Sequence, residues 1–264
     1  MHFFIYSSLP AIDFTCKPDI SNDDFMSLLN LNLSKRQMKK VNTLKLWIDI
    51  YNVHASLLSD SFDDRGNFSK SFLYKLLFEK EIIVEKVPDY ILEFLYKYDN
   101  EEDRKKNIGW LISQYFKNEI KNSSGFLKEF LTFEYRWRVL IAGYRCKKIG
   151  RDLIRELQFE NMDDPIVEYV LAQSGGASSF VFPFEYKNLE ISLIDAGPNP
   201  SKQYEALAKF RFDFYLKYIL NYQFTFCAVT AFMMNLWILE EHYALKQDVG
   251  EEELYNLVEK DYVS

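Results

Sequence analysis

Cysteine, histidine, glycine and proline are all scarce in this 264-residue chain, and each shortage removes a class of explanation. The three cysteines, Cys16, Cys146 and Cys227, are widely spaced and odd in number, with no C-x-x-C or Cys/His cluster beside them. Such spacing supplies neither a disulfide framework nor a zinc site, and reduced thiols in a cytoplasm are expected. His2, His54 and His242 stand outside any H-x-x-x-H or H-E-x-x-H pattern, so each reads as an ordinary core or surface residue. The patterns G-x-x-x-x-G-K-[ST], G-x-G-x-x-G and G-x-S-x-G are missing, which leaves no recognisable phosphate cradle or nucleophile turn. A net charge of −7 argues against a nucleic-acid binder, whose phosphate contacts need an excess of Lys and Arg. No catalytic residue, cofactor or metal ligand is assigned, and a non-enzyme is expected.

What is abundant points to helices. Aromatic residues make up 17% of the chain, against only nine glycines and seven prolines, a balance that suits long packed helices with few breaks. A chain of this length buries roughly 70–75% of its unfolded surface and needs no staple. The expected fold class is therefore all-α, an elongated multi-helix bundle with little or no β structure. The opening MHFFIYSSLPAIDF lacks the basic flank and long apolar core of a signal peptide. It reads instead as a short strand or extended lead-in at Phe3–Tyr6.

From Tyr218 to Leu239 no residue is charged, and about 20 apolar residues are enough to cross a bilayer. Asn221, Gln223, Thr225, Thr230 and Asn235 interrupt the run, however, and amides in lipid would need partners. The segment reads as the central core helix of a bundle, with Asn221, Gln223 and Asn235 paired inside it.

Along the chain, Ser34 and Gln37 form an S-x-x-Q capping box. It opens a helix over 35–59 whose apolar stripe is Val41, Leu44, Ile48, Tyr51, Ala55 and Leu58. DSFDDRGN (60–67) is a turn-rich loop, a helical pattern fills 68–85, and Asp89 caps the segment after Pro88. EEDRKKN opens a helix reaching about Lys121. Beyond Ser123-Ser124-Gly125, Phe126, Phe130, Phe133, Trp137, Leu140 and Tyr144 recur at 4-3-4-3-4 spacing, an aromatic seam that Gly150 ends. Asp164 and Pro165 read as N-cap and first position of a further helix. Residues 174–200 carry Gly175, Gly176, Pro183, Gly197, Pro198 and Pro200, and read as an irregular connector with room for a short strand. A long helical region with a break covers 201–246, and a short acidic helix follows Gly250. The expected organisation is an N-terminal helical lobe (1–173), the connector (174–200) and a C-terminal helical segment (201–264) packed on the first lobe.

The run FEYRWRVLIAGYRCKKIGRD (133–152) is the one place where charge and seam collide. Glu134, Arg138, Arg145 and Lys148 share the face beside the seam, and Glu134 can pair with Arg138 one turn away. Lys147, Lys148 and Arg151 complement the C-terminal end of the helix dipole. Arg136, Arg138 and Arg145 remain, all Arg rather than Lys, and Arg favours fixed ion pairs and interfaces through its planar fork. Glu134, Arg136, Arg138 and Arg145 are the expected structural ion-pair residues, and Lys147, Lys148 and Arg151 the expected contacts to a partner. Asp63-Asp64 resembles the aspartate-rich motif of magnesium-dependent isoprenoid-diphosphate enzymes. It lies in a predicted loop, no second metal motif follows, and it reads as a solvated turn.

Three features together carry a family resemblance: SLP near the start; the W-R-x-L…R-x-K-x-x-G pattern of Trp137, Arg138, Leu140, Arg145, Lys148 and Gly150; and the long aromatic C-terminal helix followed by Gly250 and an acidic tail. The chain resembles an uncharacterised bacterial family that is itself similar to the C-type central-stalk component of V-type ATP synthases, d-type in eukaryotes. That resemblance implies a non-catalytic, all-helical component of proton or sodium transport, coupling the soluble ATPase head to the membrane rotor ring. It also implies the central shaft and the rotor ring as partners, and a cytoplasmic position peripheral to the inner membrane. The chain departs from the pattern at Glu240-Glu241-His242, where relatives tend to carry a basic–aromatic pair. A helical adaptor unrelated to rotary ATPases is the alternative.

Overall fold

Caps and breakers decide where the helices begin and end. The computed structural model describes residues 2–79, 87–175 and 179–262, without the side chains of residues 2 and 247–262. Among the described residues the fold is all-α and holds no strand. The helices are α1 (His2–Ser7), α2 (Asn22–Asn32), α3 (Lys35–Leu58), α4 (Lys70–Tyr74), α5 (Asp89–Lys97), α6 (Glu101–Lys106), α7 (Ile108–Asn122), α8 (Phe126–Lys148), α9 (Leu153–Glu156), α10 (Pro165–Leu171), α11 (Lys187–Ala196), α12 (Pro200–Asn221) and α13 (Phe226–Tyr262).

Local signals hold where a side chain reaches the backbone a few residues away. The Ser34 hydroxyl accepts the Gln37 amide at 3.4 Å, and the Gln37 side chain accepts the Ser34 amide at 3.0 Å, which closes the capping box. Asp164 accepts the Ile166 amide at 3.0 Å, with Pro165 opening α10. After α8, Gly150 takes φ 70°. Its amide bonds to the Lys147 carbonyl at 3.2 Å and the Arg151 amide to the Cys146 carbonyl at 2.9 Å, the paired closure of a Schellman motif.

Several expectations are corrected. Phe3–Tyr6 is helical, not extended: Ile5 is buried, the Tyr6 hydroxyl donates to the Ile219 carbonyl at 3.2 Å, and Phe3 stacks on Phe224 at 4.8 Å. The connector 174–200 contains α11, because Leu189, Leu193 and Ala196 bury one helical face between Pro183 and Gly197. These two residues bracket the helix rather than break it. The helix expected over 101–121 is divided at Asn107 into α6 and α7. Asp89 sits in the first turn of α5, and Pro88 takes the cap position. The helix expected over 68–85 is α4 followed by a π-helical turn at Lys75–Glu79, and 80–86 lie outside the described residues. Gly250 does not stop α13, since one Gly in a helix costs only ~1 kcal/mol.

The chain forms two compact units, one from Met1–Met38 with Pro183–Ser264 and one from Lys39–Phe182. This division differs from the expected lobes because the N-terminal helices pack with the last ones. In the first unit Phe25 meets Phe232 at 5.4 Å, the Trp237 indole donates to the Asn22 side chain at 2.8 Å, and Glu240 accepts the Asn22 amide at 2.8 Å. The stretch 218–239 is not one helix. It turns at Tyr222–Thr225, and Asn221 and Gln223 are exposed rather than paired inside. Residues 228–239 of α13 are the buried core expected, and no helix of the described residues is long and apolar enough to cross a membrane.

In the second unit, two buried polar side chains of α3 hold the loop at 60–68. The Asp49 carboxylate accepts the Asn67 amide at 2.7 Å, the Phe68 amide at 2.9 Å and the Asn67 side chain at 2.7 Å. Asn52 exchanges two bonds with the Asp63 backbone, both at 2.8 Å. Gly66 is required there, since a Cβ would stand 2.5 Å from the Asp49 carboxylate.

Within α13, Asn235 is fully buried and neither atom of its amide finds a partner among the described residues, nor does Nε2 of buried His242. An unsatisfied buried amide costs about 1–3 kcal/mol. Asn235→Leu, close in volume, is therefore expected to raise stability by about that amount in denaturant unfolding. A loss would show that the amide is satisfied.

His242 stacks on Phe14 at 4.7 Å. Burial, then the nearby Lys246, hold its imidazole below the ordinary value of 6.5 against the opposing pull of Glu205. A depressed imidazole means that the unfolded chain binds the proton more readily. Its contribution is thus complete above pH ~6.5 and is lost as pH falls through the folded value. His242→Phe keeps the stack and is expected to flatten the acid side of the Tm–pH curve relative to wild type. Parallel curves for the two proteins would exclude His242 as the titrating group.

Candidate functional site

Helix α8 is buried on most of its surface, from Leu127, Phe130 and Leu131 to Val139, Leu140, Ile141 and Cys146. Part of this burial is visible in the sequence as the aromatic seam, of which Phe130, Phe133 and Leu140 are buried while Phe126, Trp137 and Tyr144 are partly covered. The rest comes from aliphatic residues such as Leu127, Leu131, Val139 and Ile141, and from close packing at a glycine. A Cβ on Gly143 would meet Val170 at 2.5 Å and Phe180 at 2.9 Å, so α8 and α10 approach closely there.

That burial sorts the expected site residues into different roles. Glu134, placed by spacing on the face beside the seam, is buried and accepts the Trp137 indole N–H at 2.9 Å. Arg138 turns inward. Its guanidinium lies 4.0 Å over the Trp47 ring and 5.7 Å from the Phe116 ring, and its charge reaches Glu160. Arg136 is exposed and stands about 160° round the helix from Arg138. Arg145 and Arg151 are exposed, Lys147 is partly buried, and Lys148 leans over the Tyr144 ring at 5.6 Å.

Three of these arginines come together. Arg138, Arg145 and Arg151 line a half-open groove of about 340 Å3 whose lining includes Trp137, Ile141, Ala142 and Cys146. Ile149 forms its lip and is 61% exposed. Among the described residues of the lining, Glu156 is the one carboxylate. A second depression, about 870 Å3, shares Arg151 and Glu156 and adds Lys106, Arg155 and Asp152. Asp152 is committed as the N-cap of α9, accepting the Ile154 amide at 2.9 Å. The Cys146 thiol donates to the Arg151 carbonyl at 3.1 Å. Burial, then Glu156 and Asp152, push this thiol up against the pull of Arg151, which makes it a poor nucleophile.

A separate pocket of about 510 Å3 lies between α7, Tyr135 and the segment 159–164. Burial raises the Glu160 carboxyl there, opposed by hydrogen bonds from Ser113 and Tyr135 and by the Arg138 charge. Burial likewise raises the Tyr135 hydroxyl. Spacing does not single out Glu160, and no local pattern marks it.

The other motif candidates are committed to the fold. Two nitrogens of Arg65 grip the Asp63 carboxylate, at 2.7 to 3.1 Å, and Asp64 is exposed. Among the described residues no cluster of His, Cys, Asp and Glu could hold a metal ion. At the departure Glu240-Glu241-His242, Glu240 binds the Asn22 amide and His242 is buried.

Among the described residues the fold is all-helical, with a basic groove beside α8 whose lining includes Ala142 and Ile149. Residues 1–261 match the family described as protein of unknown function (DUF2764), and the chain belongs to it. It is similar to an uncharacterised protein of Chlamydia pneumoniae, 27% identical over 216 residues and 80% of each chain. Uncharacterised proteins of Chlamydia muridarum (strain MoPn / Nigg) and Chlamydia trachomatis serovar D are each 24% identical, over 216 and 215 residues, covering 80% of this chain and 80% and 79% of theirs. No solved structure matches.

The inward and outward arginines are distinguishable by stability. Arg138→Ala removes a cation stacked on Trp47 and is expected to cost about 1–2 kcal/mol. Arg145→Ala and Arg151→Ala are expected to stay within ~0.5 kcal/mol, as exposed residues do. Denaturant unfolding of the three variants checks this, and equal losses would refute the division.

Proposed function

We propose that this chain is a non-catalytic docking subunit, and that its assembly is a V-type ATPase in which it stands in the position of the C-type central-stalk component. The observation that carries the docking part is the groove beside α8, where exposed Arg145 and Arg151 flank an apolar lining. Arginine forks over apolar surface are the composition of a protein interface, enriched in Arg and poor in Lys and acids. The all-helical fold agrees with the reading, as does the employment of Asp63 and Glu240 in structural bonds. The rotary assembly rests on the resemblance carried by Trp137, Arg138, Leu140, Arg145, Lys148 and Gly150. In that reading the chain transmits force between a soluble head and a membrane ring, binds no nucleotide, and is held at the membrane by its partners.

Purification of the tagged chain from native membranes in mild detergent tests this. ATPase head and ring subunits are expected to co-purify in fixed proportion. Recovery of a defined set of other partners, with no ATPase subunit among them, would support an unrelated helical adaptor and overturn the rotary assignment.

A further inference from the structure

The chemistry of the groove narrows the kind of partner it takes, an inference that rests on the docking reading above. The two adjoining depressions carry Lys106, Arg138, Arg145, Arg151 and Arg155 against Asp152 and Glu156, on a chain whose net charge is −7. Asp152 also caps α9, and the two carboxylates still leave the five cations in excess by three. The local sign is therefore opposite to that of the molecule, and it selects an anionic partner.

The kind of anion follows from the lining. The exposed cations on α8 and the turn after it, Arg145 and Arg151, are forks suited to carboxylate or phosphate. The same lining holds half-buried Ala142 and the lip residue Ile149, which is 61% exposed. A phosphate polymer makes no use of an aliphatic lip. Bases need flat aromatic faces to stack on, and among the described residues the one aromatic of this lining is the partly covered Trp137. An aliphatic side chain on the partner does use that lip. The reach along α8 from Trp137 to Ile149 is roughly 18 Å, the length of about twelve helical residues.

We infer that this groove binds an acidic amphipathic helix of a partner protein, its carboxylates on Arg145 and Arg151 and its aliphatic face on Ala142 and Ile149. Glu156 lies where it competes with the partner's carboxylates, and so weakens the complex.

The test uses the full chain and a fluorescein-labelled synthetic helix of about twelve residues, with Glu along one face and Leu along the other. Anisotropy is expected to show saturable binding that weakens with salt. Arg145→Glu with Arg151→Glu is expected to weaken it at least ~10-fold, and Glu156→Gln to tighten it about 2-fold. Both variants should keep the wild-type Tm, because the altered residues are exposed. Replacing every Glu of the probe by Gln, or scrambling its Leu positions, is expected to abolish binding.

Binding of the Gln probe at equal strength would overturn the inference, as would no binding of the Glu probe. Polyphosphate or oligouridylate that binds with the same mutational sensitivity, while the Leu-scrambled probe binds as well as the original, would make this a phosphate site and overturn it too. Repeating the membrane purification with the double reversal separates the two readings. If the ATPase subunits still co-purify, the groove is not where they dock and the subunit reading stands. If the probe binds as expected but wild type brings down no ATPase subunit, the groove stands and the rotary assignment falls.

Discussion

The burial of much of α8 is the constraint from which the second unit follows. A helix sunk into a core has little surface on which to carry charge, yet this one carries arginines along with its apolar residues. Each cation has only two ways out. It can be folded against a π face and a carboxylate, as Arg138 is by Trp47, Phe116 and the nearby Glu160. Otherwise it must lie at the rim, where Arg145 and Arg151 stand. The groove is the seam between these solutions. Its lining is what α8 leaves uncovered of an otherwise buried face, and its edge is where the remaining charges collect. Close approach at Gly143 presses α10 onto another side of the helix, and so confines the opening to one strip.

Among the described residues, the buried polar side chains of the same unit are answered. Arg104 is 3% exposed, and its guanidinium donates to the carbonyls of Leu77 at 2.7 Å, Tyr98 at 2.8 Å and Leu95 at 3.3 Å. It thereby joins the π-helical turn to the end of α5, where carbonyls otherwise lack partners and a cation suits the dipole. Asp49 is pushed up by burial, but three N–H donors and the nearby Lys45 pull the other way. Its oxygens set the path of the loop at 60–68, and the absence of a Cβ at Gly66 lets the backbone come that close. A half-satisfied network would cost more than an apolar core. Asn235 and His242 in α13 lack this completeness, so the two units differ in how their interior polarity is resolved.

What is legible in the sequence tracks the distance over which the physics acts. The capping box of Ser34 and Gln37, the Asp164-Pro165 start and the Gly150 stop are decided within a few residues, and each is legible. The all-α class is legible because apolar residues recur at three and four over long windows. Helix α11 is hidden because its Leu189, Leu193 and Ala196 occupy a short window between Pro183 and Gly197. Phe3–Tyr6 is hidden because that short helix depends on Ile219 and Phe224, far along the chain. The Asp63-Asp64 pair looks like a chelating motif, and only the fold shows Arg65 taking one carboxylate. Among the candidate site residues, the spacing places Arg138 and Arg145 on one face. It cannot reveal that Trp47, in another helix, takes the first and leaves the second at the surface.

Why arginine, and why at the rim, has one physical answer. A guanidinium does not give up its proton at any pH the protein meets, so it is a poor acid or base and a dependable charge. A groove that carries permanent charges beside aliphatic surface can orient and hold a partner. In the complex inferred above, affinity comes from desolvating Ala142 and Ile149. The arginines then supply direction, because a fork accepts a carboxylate in few geometries and repels a cation in all. Holding Arg138 on Trp47 stiffens the helix that presents Arg145 two turns further on. The interior aromatic seam and the exterior charge are thus parts of one arrangement: the first fixes the helix, and the fixed helix sets the position of the charge.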